Sequence, residues 1–522
     1  MKYIYYLCLT VLFLSGCEKN LLNTVPNDRI STDIFWKTNQ DAVLGANAVY
    51  VSLEGTNIFT WDGLSDLGHT NRAFVSDANI EQGLYDATTD RIYNEWRNAY
   101  AGIYAANTFF ANVVNVKATD TAQITRLKAE VSVLRAYQYI HLVMLYGDVP
   151  IVTGLIDISQ AKTLTRTPAA AVWDFIRDEL SRAANNLPLF QTDKGRITKG
   201  AALALKTRAM LYAGRYQDAL DAAIQVMNLG VYSLYPAYKN LFSYAAENNV
   251  EVILDKQFLQ GSYPNNVFNL MAPYSQKTSS GADYVPTKVL VDNYQMANGD
   301  SINNPLSGFD PNNPYAKRDP RLKYSVFVPG DTLPNGSVYN PLPNSGTSDA
   351  IGSTFLATTT GFNLKKYINK EDLAVPTNCG INIILMRYAE VLLMYAEAKI
   401  ELNQIDQSVY DAINKVRKRP DVNMPAIISG PFSQTQLRGI IRKERAVELA
   451  FEGLRFYDLR RWRTADAVLQ GPVFGITYNK NGTLTTIQVP FQKGFNSSRD
   501  YLWPIPQNEI ILNPNLIQNK GW

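Results

Sequence analysis

One stretch constrains the fold more than any other: KGAALALKTRAMLYAGRYQDALDAAIQVMNLG, residues 199–230. Ala204, Ala209 and Tyr212 share one helix face and Gly214-Arg215 makes a turn. Tyr216, Ala219, Leu220 and Ala223 open a second apolar stripe, which Gly230 closes. Small residues at the crossing let two antiparallel helices approach closely, which is the arrangement of a tetratricopeptide-like hairpin. Residues 386–419 repeat the logic, with Ala389, Leu392, Ala396 and Ile400 on one face and Ala412, Ile413 and Val416 on another. The two units lie far apart in the chain, so a uniform solenoid is excluded. The expected fold is mainly α, with tetratricopeptide-like helical hairpins forming a scaffold, a long irregular, loop-rich insertion and a few short strands.

The other periodic segments fit this scheme. Helices are expected over 39–54, 91–116, 122–146 and 168–187; Gly147 and Pro150 end the third, and Pro168 sits near the first turn of the fourth. A further helix is expected over 433–463, opened by the capping box of Ser433 and Gln436. Residues 231–382 are rich in Pro, Gly, Asn and Ser, which favour turns and cannot continue helices. Their interspersed aromatics argue for order, and short strands are expected at 323–328 and 362–367. Residues 476–489 read as a hairpin turning near Asn481-Gly482, and the Pro- and Asn-punctuated tail as irregular chain over the helices.

At the amino terminus Lys2 precedes an apolar run, Tyr3 to Leu14, shorter than the ~20 apolar residues needed to span a bilayer. A charged start, a short apolar core and small residues before a cut describe a secretory signal peptide. Leu14-Ser15-Gly16-Cys17 resembles the lipobox of bacterial lipoproteins, which implies cleavage before Cys17 and lipidation of that cysteine. The plainer alternative is a signal peptide with an incidental cysteine. Acyl chains contribute ~0.8 kcal/mol per buried methylene, so two or three of them would hold the chain on a membrane. No second apolar run reaches bilayer length. With Cys8 in the leader and Cys17 modified, Cys379 has no partner, and stability must come from packing.

Composition excludes several functions. Net charge is +3, from 50 basic and 47 acidic residues, without the basic stripe that nucleic acid requires. Only His69 and His141 exist, and no CxxC, HExxH, GxSxG, GxGxxG or Walker A pattern occurs. Zinc chemistry and a Ser-His-Asp triad are therefore not expected, and no metal or cofactor is. A hydrolase using carboxylates alone stays open, because it needs no local motif. The 31 tyrosines suit a surface that binds something both flat and polar.

Six features in order resemble the SusD/RagB family of outer-membrane nutrient-uptake lipoproteins. They are the lipobox, RAYQYIHLVMLYGDVPIV (135–152), PTKVLVDNYQMANGD (286–300), RYAEVLLMYAEA (387–398), IRKERAVELAFEGLRFYDLRRW (441–462) and WPIPQNEIILNPNLIQNKGW (503–522). The resemblance implies a non-catalytic, lipid-anchored protein on the outer face of the outer membrane. It implies an oligosaccharide or other nutrient as ligand and a SusC-like TonB-dependent transporter as partner. The expected organisation is a signal peptide (1–16), an anchor and tether (17–35), an N-terminal helical region (36–230) and a C-terminal region (231–522) that carries the insertion.

Family glycan sites draw on the early loop and the insertion without a fixed motif. Residues 57–86 lie between helices and mix aromatics with Asp, Asn, His and Arg, as a sugar site needs. Trp61 and Tyr85 are expected as platforms, Asp62, His69, Asn71 and Arg72 as hydrogen-bonding groups, and Tyr274 and Tyr284 as contributions from the insertion. The alternative is that these side chains pack their own loop. Trp96 and His141 are read as core. Arg445, Glu448, Arg455, Asp458, Arg460 and Arg461 are read as structural pairs on solvated helix faces. Two other functions remain: a lipid-anchored glycoside hydrolase, and a helical protein-binding scaffold without carbohydrate affinity.

Overall fold

The computed structural model describes residues 35–72, 76–276 and 279–522. The expected signal peptide and Cys17 lie outside them. Helices α1 (Asn39–Tyr50) and α2 (Ile58–Gly63), strand β1 (Gly68–Thr70) and helix α3 (Ser76–Glu81) come first. The scaffold follows as α4 (Asp90–Val113), α5 (Thr121–Tyr146), α6 (Ala169–Asn186), α7 (Lys199–Tyr212) and α8 (Tyr216–Asn228). Each helix from α4 to α8 packs on the next. The insertion carries β2 (Val252–Lys256), β3 (Tyr284–Pro286), β4 (Val326–Phe327) and β5 (Asn363–Leu364), and β6 (Ile383–Arg387) follows it directly. Helices α9 (Tyr388–Glu401), α10 (Gln407–Arg417), α11 (Gln434–Glu448) and α12 (Arg455–Arg461) and the hairpin β7 (Gly471–Lys480) and β8 (Thr483–Lys493) follow, and a short helix, Gln507–Leu512, lies in the C-terminal tail.

The expected mainly helical fold is what the structure has. The two hairpins separated by the insertion stack directly, because α8 packs on α9. Alanines allow the close approach: Ala202, Ala204, Ala219, Ala223, Ala389 and Ala396 are fully buried. A Cβ on Gly200 would lie 2.1 Å from the Tyr232 hydroxyl, so only glycine fits under that ring. Gly147 ends α5 with φ +73°. The two short strands expected in the insertion pair with each other, Val326 opposite Leu364. The hairpin turns at Asn481-Gly482.

Two expectations change. The helix over 433–463 is two helices, because Phe451 (φ +55°) and Gly453 (φ +80°) take left-handed backbone between α11 and α12. The capping box of Ser433 and Gln436 does open the first. The charged residues on that segment are also not on solvated faces: Glu448, Arg445, Asp458 and Arg460 are buried. Glu448 joins Arg321 (2.9 Å), Arg387 (2.7 Å) and Arg419 (3.0 Å). Around it Glu251 bonds Arg387, Glu452 bonds Arg387 and Lys366, and Glu444 bonds Arg321 and Arg417. A second buried cluster joins Arg445 to Asp458 (2.9 Å) and Arg461 to Glu397 (2.6 Å). Helical periodicity could not show this, because the partners arrive from the insertion and from α9 and α10. The structural role expected for these residues stands; their exposure does not.

Candidate functional site

The early loop and the insertion meet where β1 pairs antiparallel with β3, with His69 opposite Val285 and Thr70 opposite Tyr284. The pairing runs on to Asn71, whose N–H donates to the Asp283 carbonyl at 2.8 Å. The Asn71 side chain locks the turn. Its amide donates to the Ala282 and Ala357 carbonyls (2.9 and 3.2 Å), and its carbonyl accepts from Thr359 N–H and hydroxyl, both at 2.8 Å. Below it, Gly63 makes room for Tyr284: a Cβ there would lie 2.3 Å from the ring. The Tyr284 hydroxyl donates to Asp77 (2.5 Å), which also faces Arg91 at 3.4 Å.

The expected site residues divide into two groups. Arg72 and Tyr284, at this junction, and Tyr274, earlier in the insertion, each keep part of their surface in solvent. Arg72 pairs with Asp283 and donates to the Gly281 carbonyl at 3.3 Å. Burial outweighs the Arg72 charge and pushes the Asp283 carboxyl up to about 6. Residues 73–75 and 277–278 lie outside the described residues.

The other expected residues are drawn inward. Trp61 has 0 % exposure, and its ring is covered by Trp503, Phe456, Tyr457 and His141, with Arg91 at 4.8 Å. It offers no open face to a sugar here, because the α2 turn points it into the α5–α12 interior. Asp62 is equally buried and accepts from the Gly453 N–H at 2.6 Å; burial pushes its carboxyl up to about 7. His69 is held at 2.9 Å from Glu81, which also takes the Lys493 ammonium. Burial would raise Glu81, but Lys493 and His69 outweigh it and hold that carboxyl below its usual range. Tyr85 packs its ring on Trp522 at 4.8 Å. Trp61, Asp62, Asn71 and Tyr85 thus fasten the loop to α5, α12, the insertion and the C-terminal tail, and His69 ties it to α3. Asp77, Asp283 and Thr359 complete the junction, and no periodic signal in the sequence marks them; only the strand pairing does.

Trp96 and His141 are core, as expected. His141 is bonded to Glu95 (2.7 Å) and to the Tyr457 hydroxyl (3.1 Å). Among the described residues no group of three or more His, Cys, Asp or Glu could hold a metal ion. Among the same residues no helix is long and apolar enough to cross a membrane. The junction can offer the Arg72 guanidinium, the Asp283 carboxyl and the partly open ring of Tyr284, which suits hydrogen bonding and stacking. Its carboxylates are each engaged by a neighbouring side chain.

Two family profiles match the chain: "SusD family" over residues 250–522 and "Starch-binding associating with outer membrane" over 35–211. "SusD-like protein P2" of Formosa agariphila is 28% identical, and the match covers 99% of each chain. A crystal structure of a SusD-like carbohydrate-binding protein from Bacteroides fragilis superposes with TM-score 0.85 at 28% identity, over 92% of this chain and 100% of that one. A second SusD-like protein from that organism superposes with TM-score 0.82 at 27% identity, over 96% and 100%.

Proposed function

This chain belongs to the SusD/RagB family, and we propose that it is a cell-surface lipoprotein that binds an oligosaccharide and delivers it to a SusC-like TonB-dependent transporter in the outer membrane. The observation that carries the reading is the likeness to a carbohydrate-binding relative over 92% of this chain and 100% of that one. The β1–β3 junction is the candidate contact surface, because Arg72 and Tyr284 there keep part of their surface in solvent. Each stacked ring that removes ~100 Å² of apolar surface contributes ~2 kcal/mol, so a few such contacts with polar bonds give micromolar to millimolar binding. Catalysis is no part of the proposal: Asp283 is tied to Arg72, and Asp77 to Tyr284 and Arg91. Cys17 supplies the anchor.

A glycan array on the soluble form lacking residues 1–17 tests the binding, and overnight incubation with each ligand tests the absence of turnover. Binding with unchanged reducing ends is expected; new reducing ends would make the protein a hydrolase. Palmitate labelling in cells, absent in Cys17→Ala, tests the anchor, and co-purification of a TonB-dependent transporter tests the delivery.

A further inference from the structure

Away from the junction, the end of α1 and the loop after it wall a cavity of about 640 Å³. Its floor is α4 from Glu95 to Ala105 with Tyr137, Gln138 and His141 of α5, and its far wall is the loop after β2. A second cavity of about 380 Å³ shares Val51, Leu53 and Lys256 with the first, so the two adjoin across that ridge. Phe258 lines the larger cavity and Tyr263 the smaller. Their rings are stacked, 5.5 Å apart and 11° from parallel. An aromatic pair therefore straddles the saddle between the cavities. Tyr263 is 46 % exposed and Val51 62 %.

The charges around the larger cavity are already met by the protein. Glu54 accepts from the Trp61 indole (2.8 Å) and the Tyr137 hydroxyl (2.6 Å). Glu95 is bonded to Arg91 (2.8 Å) and His141 (2.7 Å). The Lys256 ammonium donates to the carbonyls of Val51 (3.1 Å) and Leu53 (2.6 Å). The remaining polar lining of this cavity is neutral and includes the amides of Asn57, Asn98 and Asn266 and the hydroxyl of Thr56. An anion would meet two carboxylates, and an apolar ligand would strand the amides. A neutral, hydroxyl-rich ligand matches the lining, and the stacked rings suit its C–H face.

We propose that this groove is a second carbohydrate site, separate from the β1–β3 junction, which takes a neutral linear oligosaccharide laid across the Phe258–Tyr263 saddle. The volume is within the range of small-molecule sites, and its continuity across the ridge favours a chain of several sugars over a single one. The inference rests on the carbohydrate reading for the class of ligand only.

Calorimetric titration of the full chain with linear hexasaccharides of α-1,4-glucose, β-1,3-glucose, β-1,4-mannose and β-1,4-xylose tests it. At least one should bind. Tyr263→Ala, and independently Val51→Arg, which obstructs the ridge, should weaken one site by on the order of tenfold or more, with melting temperature unchanged. Arg72→Ala should leave that site intact. Wild-type affinity and stoichiometry in both groove variants would overturn the proposal; loss of binding in Arg72→Ala alone would at the same time keep the general reading. No binding of any hexasaccharide at millimolar concentration also overturns the groove. A glycan array holding anionic glycans then decides separately whether carbohydrate binding survives.

Discussion

The ion cluster around Glu448 and the junction around Asp283 are both built from carboxylates and guanidinium groups, yet they differ in how completely each charge is answered. Glu448 meets three arginines, and Arg387 meets Glu251, Glu448 and Glu452. Burial pushes the Glu448 carboxyl up, but Arg387, Arg419 and Arg321 outweigh it and hold it well below the usual range. Glu452 is held low in the same way, by Arg387 and Lys366. At the junction, Asp283 has one arginine and burial prevails. Asp62, beneath it, has a backbone N–H and no ion-pair partner among the described residues. A closed network spends its hydrogen-bonding capacity on the fold. A site must keep some for a ligand, and the partly open Arg72–Asp283 pair does.

The largest effect is expected in the closed network. Glu448→Gln removes one charge facing three arginines, and breaking a buried pair typically costs about 3–5 kcal/mol. Denaturant unfolding should show a loss of that size with the slope unchanged. A loss below about 1 kcal/mol would break the contrast. The cluster also sets the acid limit. Carboxyls held low in the fold contribute stability above their unfolded pKa, near 4.5, and lose it as pH falls further.

Asp62 gives the opposite slope. Its folded pKa is raised to about 7, so the protonated fold is favoured, and stability is lost as pH rises from about 4 through 7. Asp62→Asn should remove that loss and gain on the order of 3 kcal/mol over wild type between pH 4 and pH 8. Unfolding curves at several pH values check it; parallel curves for the two proteins would place the Asp62 carboxyl in its ordinary range. Trp61→Phe comes next, at on the order of 2 kcal/mol of stability, because it opens space against Trp503 and drops the bond to Glu54. Glycan affinity at the junction should not change, since the ring has no open face. A loss of affinity at unchanged stability would return Trp61 to the role of platform.

The sequence showed whatever depends on local periodicity. The α7–α8 and α9–α10 hairpins, the capping box at Ser433, the turn at Asn481-Gly482 and even the short strands at 326 and 363 follow from spacing and turn chemistry. What stayed hidden depends on partners far along the chain. Arg387 next to Glu251, and Asn71 beside Thr359, are joined by packing that no window contains. The early loop was legible as a mixed aromatic and polar segment, but composition does not tell a ring that covers a sugar from one that covers Trp503. The break between α11 and α12 was hidden for a local reason: Phe451, a bulky residue, takes a left-handed conformation that sequence rules reserve for glycine or asparagine.

The smallest predicted effect is the most direct test of the junction. Arg72 is half-buried and bonded to Asp283 and to the Gly281 carbonyl, while Asn71 carries the turn itself. Arg72→Ala should therefore spare the β1–β3 pairing and shift the unfolding free energy by less than about 1 kcal/mol, as expected for a partly exposed pair. Its effect on binding should be larger than on stability. A guanidinium bonded to a sugar hydroxyl contributes about 1.5 kcal/mol, so affinity for whichever glycan the array identifies at the junction should fall on the order of tenfold. Arg72→Lys should recover little, because a point charge cannot hold Asp283 and a ligand in one plane as a guanidinium does. If instead both variants lose stability in step with affinity, the junction is a strut like the Glu448 cluster, and the difference between the two regions is one of exposure alone.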